Sequence, residues 1–267
     1  MRKNISATTS KRRGRRSTLA SVALIAIGLL ATGGAYAAFS ASSATASVDL
    51  ASPTVINEGQ KLFAANCATC HGQQAQGTAN GPSLIGVGSA AVDFQVGTGR
   101  MPMQMSGPQA LAKPTQFTEP QIAALAAYVA SLAPGPSIPT ASQLQNGNVS
   151  NGGELFRINC AMCHNVAGAG GALTEGKFAP SLKGVTAAHV YEAMLTGPQN
   201  MPVFNDLNLT PSDKKDIIAY LNYLEKNPSA GGLELGSLGP VSEGLFLWIF
   251  GLGAIVALTV WITAKSN

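Results

Sequence analysis

Cys67-Ala68-Thr69-Cys70-His71 and Cys160-Ala161-Met162-Cys163-His164 are two copies of one pentapeptide, Cys-x-x-Cys-His, and together they use every cysteine of the 267-residue chain. Two thiols one helical turn apart, with a histidine directly after the second, are the attachment signature of c-type haem. The thiols form thioethers with the haem vinyl groups, and the imidazole reaches the iron from one side. Other readings explain less. Zinc ribbons hold their Cys-x-x-Cys pairs about 15–20 residues apart, whereas these lie 93 apart. A thioredoxin-like redox motif calls for a βαβ context, which the flanks lack. Structural disulfides in an exported chain leave both histidines unexplained.

The motifs travel inside a longer repeat. Gly59, Leu62, Phe63 and Asn66 precede the first at the same distances as Gly152, Leu155, Phe156 and Asn159 precede the second. Pro82-Ser83-Leu84 with Gly86-Val87 recurs as Pro180-Ser181-Leu182 with Gly184-Val185, and Met101-Pro102 recurs as Met201-Pro202. Each half closes with a segment of helical periodicity, opened by Thr118 in one and Thr210 in the other. Threonine is a good N-cap, and the apolar spacing suits one buried face.

This order of parts resembles the class I cytochrome c domain: a helix running into Cys-x-x-Cys-His, a proline-leucine loop, a methionine loop and a closing helix. The resemblance covers about residues 55–133 and 151–228 and implies an all-α fold of two tandem domains. It implies two covalently bound haem c groups, held by Cys67 and Cys70 and by Cys160 and Cys163. It implies His71 and His164 as proximal iron ligands, with Met101 and Met201 as distal ones. Filling both axial positions with His and Met raises the reduction potential and makes electron transfer the expected task, with no catalytic residue in this chain. Met201 is the one methionine of its loop, but the first half offers Met101, Met103 and Met105. Met101 is chosen because Met-Pro aligns with Met-Pro, and Met103 stands as its alternative. A methionine is otherwise an adaptable core filler, the reading given to Met162 and Met194. His189, the one histidine outside the motifs, either sits on a helix or replaces Met201 as a distal ligand.

Composition fits small helical domains. Each half has fewer than 90 residues, too few to bury a large core unaided, so a covalent haem becomes the centre around which helices pack. Pro134-Gly135-Pro136-Ser137-Ile138-Pro139 breaks the pattern between the halves, as a linker does. The expected organisation is a basic N-terminus with a signal or anchor segment over 1–48, a first domain over 49–133, a linker over 134–150 and a second domain over 151–228. A juxtamembrane segment over 229–243, a transmembrane helix over 244–264 and a cytoplasmic tail over 265–267 complete it.

Both ends point to a membrane. Gly244 to Ala264 is an apolar run of 21 residues without a charge, close to the roughly 20 that span a bilayer. Trp248 and Trp261 lie toward its opposite ends, where interfacial aromatics gather. The N-terminus places seven basic residues before Ser17 and then runs apolar from Leu19 to Ala38. That is either a secretory signal, with Ala35-Tyr36-Ala37 as a cleavage site, or a retained anchor. Arg15-Arg16 faintly resembles a twin-arginine signal. The positive-inside rule keeps the basic end and Lys265 cytoplasmic and puts the haem domains on the outer face of the cell membrane.

The formal charge of +4 hides an asymmetry. Residues 1–48 carry +7, whereas residues 49–243 carry nine basic against thirteen acidic side chains. An acidic exported part argues against nucleic-acid binding and for redox partners steered by complementary charge.

Two haem domains with a C-terminal anchor resemble the dihaem cytochrome c subunits of the actinobacterial menaquinol:cytochrome c reductase, the cytochrome bcc complex. The pairs Met101-Pro102 and Met201-Pro202, the short tail after Lys265 and the basic start at Lys11-Arg12-Arg13 take part in the match. The resemblance implies a cytochrome b subunit, a Rieske iron–sulfur protein and a cytochrome c oxidase as partners in a translocase complex. A membrane-tethered shuttle outside any fixed complex, and the cytochrome subunit of a periplasmic dehydrogenase, are the alternatives.

Overall fold

The computed structural model describes residues 18–43, 49–105, 107–227 and 240–265. Lys11-Arg12-Arg13, Arg15-Arg16, most of the juxtamembrane segment and the last two residues lie outside the described residues. The chain divides into two units, Met1–Val48 and Asp49–Asn267. The first is described by one helix, α1 (Thr18–Ser43). Its stretch Leu19–Ala37 is long and apolar enough to cross a membrane and is unburied.

In the second unit, the first half comprises α2 (Pro53–Asn66), α3 (Ala68–His71), α4 (Gly88–Gly97) and α5 (Glu119–Leu132). The second half repeats the plan with α7 (Val149–Asn159), α8 (Ala161–His164), α9 (Ala187–Thr196) and α10 (Pro211–Lys226). A short helix, α6 (Ala141–Leu144), lies between them. The all-α expectation holds apart from one two-residue hairpin, β1 (Gly171–Ala172) with β2 (Phe178–Ala179), and an isolated bridge between Thr78 and Gly81.

All four repeated residues ahead of each motif have a structural reason. The first and last helices of each half, α2 with α5 and α7 with α10, pack face to face. They cross at a glycine. A Cβ on Gly59 would land on the Ala124 carbonyl, and one on Gly152 on the Asp216 carbonyl. One turn further, Phe63 meets Tyr128 with ring centroids 5.2 Å apart, and Phe156 meets Tyr220 at 5.5 Å. Leu62 and Leu155 pack on the edge of the two cores. Asn66 and Asn159 each donate from the side-chain amide to the carbonyl four residues back, Leu62 at 2.8 Å and Leu155 at 2.9 Å. The helix ends are thereby closed just where the cysteines begin.

The closing helices are capped as the threonines suggest. Gln121 Oε1 accepts from the Thr118 backbone N–H at 3.0 Å, and Asp213 Oδ2 accepts from that of Thr210 at 2.9 Å, both within capping boxes. Asp216, on the buried side of α10, fixes the start of α7 by accepting from the Asn148 N–H at 2.7 Å and the Asn151 amide at 2.8 Å.

Residues 134–150 are packed rather than loose. Pro136 O accepts from the Ala90 N–H at 3.1 Å, satisfying a first-turn donor of α4, and Ser89 Oγ accepts from the Ile138 N–H at 3.2 Å. Ile138 joins the first core and Leu144 the second. Gln143 donates to Tyr191 Oη at 3.0 Å. The proline run thus packs on the first domain and α6 after it on the second, and together they strap the two.

The C-terminal segment is helical from α11 (Pro240–Phe246) through a π-helical turn (Leu247–Leu252) into α12 (Gly253–Lys265). Val241–Lys265 is the second stretch long and apolar enough to cross a membrane, again unburied. Trp248 and Trp261 are exposed, and Lys265 Nζ sits 4.8 Å from the centroid of the Trp261 ring. A helix apolar on every side has no stable place in water.

The crossing supplies a stability prediction. In a helix interior, Gly→Ala alone gains about 1 kcal/mol in propensity, but a methyl forced against a fixed carbonyl costs about 1–3 kcal/mol or more. Gly152→Ala is therefore expected to lower stability by about 1–2 kcal/mol net, read from thermal or urea denaturation of the haem-loaded protein.

Candidate functional site

Each pentapeptide forms a single helical turn that continues directly from the preceding helix. The Cys67 N–H donates to Phe63 O at 2.8 Å and the Cys160 N–H to Phe156 O at 2.9 Å. The histidine N–H groups then donate back to Cys67 O at 3.0 Å and Cys160 O at 2.9 Å. None of the four cysteines is in a disulfide. Burial first, and then the neighbouring Cys70 or Cys163, pushes the Cys67 and Cys160 thiols up to about 11, so both are neutral thiols before attachment.

The imidazoles are oriented by the repeated proline. His71 Nδ1 lies 2.7 Å from Pro82 O and His164 Nδ1 lies 2.9 Å from Pro180 O. A carbonyl can only accept, so Nδ1 carries the proton and Nε2 keeps its lone pair, as a metal-ligating histidine requires. Burial lowers the pKa of His164, partly offset by the Pro180 bond. The proline loops are held alike: Leu84 N–H donates to Ala75 O and Leu182 N–H to Gly168 O, both at 2.8 Å.

Met101 packs on the first core together with Cys67 and Ala68, and Met201 packs on the second together with Cys160 and Ala161. Met103 and Met105 do not join that core and are 39% and 79% exposed. A lysine secures each methionine loop. Lys113 Nζ donates to Pro102 O at 2.8 Å, and the buried Lys214 Nζ donates to Asp206 Oδ1 and Leu209 O, both at 2.7 Å. Met162 is 93% exposed, contrary to its reading as a core filler, while Met194 is buried as that reading requires. His189 is turned toward the first domain, its ring edge-on to Phe94 at 6.1 Å and its Nε2 3.9 Å from Asp93 Oδ2. That position separates it from the role of a replacement for Met201.

The residues fit a haem. Two undisulfided thiols on one turn, an imidazole with its Nε2 free and a thioether on the same apolar core make a complete donor set. In the second domain a cavity of about 330 Å³ beside the Gly168 turn has Leu182, Val185, Val190, Ile218 and Leu221 on its apolar side and Lys183, Asn222, Glu225 and Asn227 on its polar side.

Comparison with known proteins places both halves. Residues 56–133 match the family described as cytochrome c, and residues 147–221 match that described as cytochrome C oxidase, cbb3-type, subunit III. Over nearly the whole length the chain is 44% identical to the cytochrome bc1 complex cytochrome c subunit of Corynebacterium efficiens, the match covering 96% of this chain and 92% of that one. The chain belongs to the cytochrome c subunits of the cytochrome bc1 complex. Identity to the protein of that name from Mycobacterium tuberculosis is also 44%, over 96% of this chain and 94% of the relative. The cytochrome c6 of Limnospira maxima is 36% identical over 83 residues, 28% of this chain and 91% of its own. Two cytochrome c domains carry two covalently bound haem c groups, and the chain is an electron-transfer subunit.

Where the repeat diverges, the domains touch. From histidine to proline the loop spans 11 positions in the first half and 16 in the second, and the longer one holds the β1–β2 hairpin. From methionine to the capping threonine the loop spans 17 positions in the first half and 9 in the second. These two longer loops meet. Gln109 donates to Phe178 O and accepts from the Phe178 N–H, both at 2.9 Å. In the reverse sense Gln199, two residues before Met201, accepts from the Ala110 N–H at 2.9 Å and donates to Ala110 O at 3.1 Å. Sequence reading missed both glutamines. Their signal was the unequal loop lengths of an otherwise regular repeat.

Removing either clasp should loosen the junction locally. Gln109→Ala is expected to speed hydrogen exchange at the Phe178 amide, and Gln199→Ala at the Ala110 amide, by about fivefold for each bond worth about 1 kcal/mol. Haem content should stay unchanged in both.

Proposed function

We propose that the chain is the dihaem electron carrier of a respiratory quinol:cytochrome c reductase, taking electrons from a Rieske iron–sulfur protein and passing them to a terminal cytochrome c oxidase. A cytochrome b subunit completes the complex, which acts as a translocase. Cys67 and Cys70, with Cys160 and Cys163, hold the two haems. His71 with Met101, and His164 with Met201, would bind the two irons. The observation that carries this reading is the pair of Nδ1–H to proline carbonyl bonds, each of which leaves Nε2 free to bind iron in a domain whose Met-Pro methionine packs on the same core as the first cysteine.

Haem iron, when bound, supplies a one-electron couple whose potential is raised by His/Met ligation. The chain's own residues do the rest. The proline carbonyls fix the tautomer and ring orientation of each histidine and raise its basicity. Lys113 and Lys214 hold the methionine loops in place, and the apolar cores exclude water from the iron ligands. The α11–α12 segment anchors the chain, α1 being either a signal for export or a second anchor, with the haem domains on the extracytoplasmic face, and the acidic exported part steers basic surfaces of its redox partners.

Gently solubilised membranes test the assignment through a reduced-minus-oxidised spectrum followed by quinol addition. The expected result is c-type and b-type bands together, both reduced by quinol, with the c signal blocked by an inhibitor of quinol oxidation. Only c-type bands that quinol leaves oxidised would favour a free membrane-tethered shuttle. For the ligands, Met201→Leu is expected to remove the sulfur-to-iron charge-transfer band of the second haem and lower its potential, with both haems still attached. Met103→Leu should leave the first haem's band intact; its loss there would transfer the ligand role from Met101 to Met103.

A further inference from the structure

Helices α4 and α9 occupy the same place in the two halves and pack on each other. Aligned on Gly86-Val87 and Gly184-Val185, Ala91 corresponds to His189 and Phe94 to Glu192. The second domain thus puts an imidazole and a carboxyl three residues apart, on one helix face, where the first has a methyl and a phenyl. Asp93 reaches them from α4. One ligand atom from each of Asp93, His189 and Glu192 lies within 4.8 Å of the others, and His189 Nε2 is 3.9 Å from Asp93 Oδ2.

Glu192 makes this more than a cluster of polar groups. It is 0% exposed, and its carboxylate oxygens meet no donor beyond a proton shared with Asp93. A buried acceptor left so is destabilising, and more so if charged, at a position where the repeat offers an apolar side chain. A cation on this spot would satisfy it.

We propose that Asp93, His189 and Glu192 form a divalent transition-metal site, best matched by zinc, that bridges the two cytochrome domains. One nitrogen and two carboxylate oxygens, with water in the fourth position, are a donor set zinc accepts. Tetrahedral bonds of about 2.0–2.2 Å put ligand atoms about 3.3–3.6 Å apart, so the side chains draw in from separations of up to 4.8 Å to close the site. The side chains of His189 and Asp93 are each 21% exposed and give the ion its entrance, with Glu192 behind. Gly97 keeps the imidazole's approach open, since a Cβ there would come within 3.0 Å of His189 Nε2. Glu119 adds negative charge near His189 and Arg100 adds positive. Burial, followed by the Asp93 charge, pushes the Glu192 carboxyl up to about 9.

The competing account of the same geometry is a proton shared between Glu192 and Asp93 with no metal. The full-length, haem-loaded chain is incubated with zinc sulfate and desalted into metal-free buffer, and zinc and iron are counted by mass spectrometry. About one zinc per two irons is expected for the wild type, and none above the buffer blank for Glu192→Gln and His189→Gln. His189→Gln alters the open edge and serves if Glu192→Gln fails to fold; the haem spectrum reports folding in each. Zinc should also slow hydrogen exchange in α4 and α9 of the wild type alone. A wild type that retains no zinc, or variants that retain as much as the wild type, overturns the site and leaves the shared proton. Neither result bears on the electron-transfer reading, which the quinol experiment tests separately.

Discussion

Backbone contact between the first and last helix of each domain is the constraint from which the rest follows. Gly59 and Gly152 let α2 and α7 lie directly on the carbonyls of Ala124 and Asp216. No residue separates the end of α2 or α7 from its first cysteine, so the crossing also positions the thiols. The closing helices then turn Ile122, Leu125 and Val129, or Ile217, Ile218 and Leu221, toward the space those thiols border. Domains of this size bury little apolar surface on their own. Close helix contact on one side and a covalently held macrocycle on the other supply what the chain lacks.

Much of this was legible because it is local and repeated. The pentapeptides, the glycine and phenylalanine one turn apart, the proline that meets the histidine and the capping threonines each act within a few residues or within one domain, and duplication marks them. Met101, which the Met-Pro repeat singles out, is also the one of Met101, Met103 and Met105 that joins the core.

The illegible parts depend on non-local placement. Gln109 meets Phe178 and Gln199 meets Ala110 across 69 and 89 positions, through loops that differ between the halves, so repetition says nothing of them. The proline run at 134–139 has the composition of a spacer, yet its carbonyl completes the first turn of α4. Glu192 looks like an ordinary solvated charge on an amphipathic helix. Its burial appears only when α4 of the other domain covers it. Divergence between the halves, rather than their likeness, encodes the junction.

That junction changes the kinetics of the molecule. Two carriers on a flexible tether find each other by diffusion, at an effective concentration set by linker length. Here the paired glutamines, the α4–α9 contact and the packed proline strap hold both carriers in one frame. The passage of charge between the halves therefore involves no encounter, no search and no counter-ion rearrangement at a forming interface. Ionic strength should govern how quickly the molecule is filled and emptied by its neighbours, while the internal hop keeps one rate in dilute buffer and in concentrated salt.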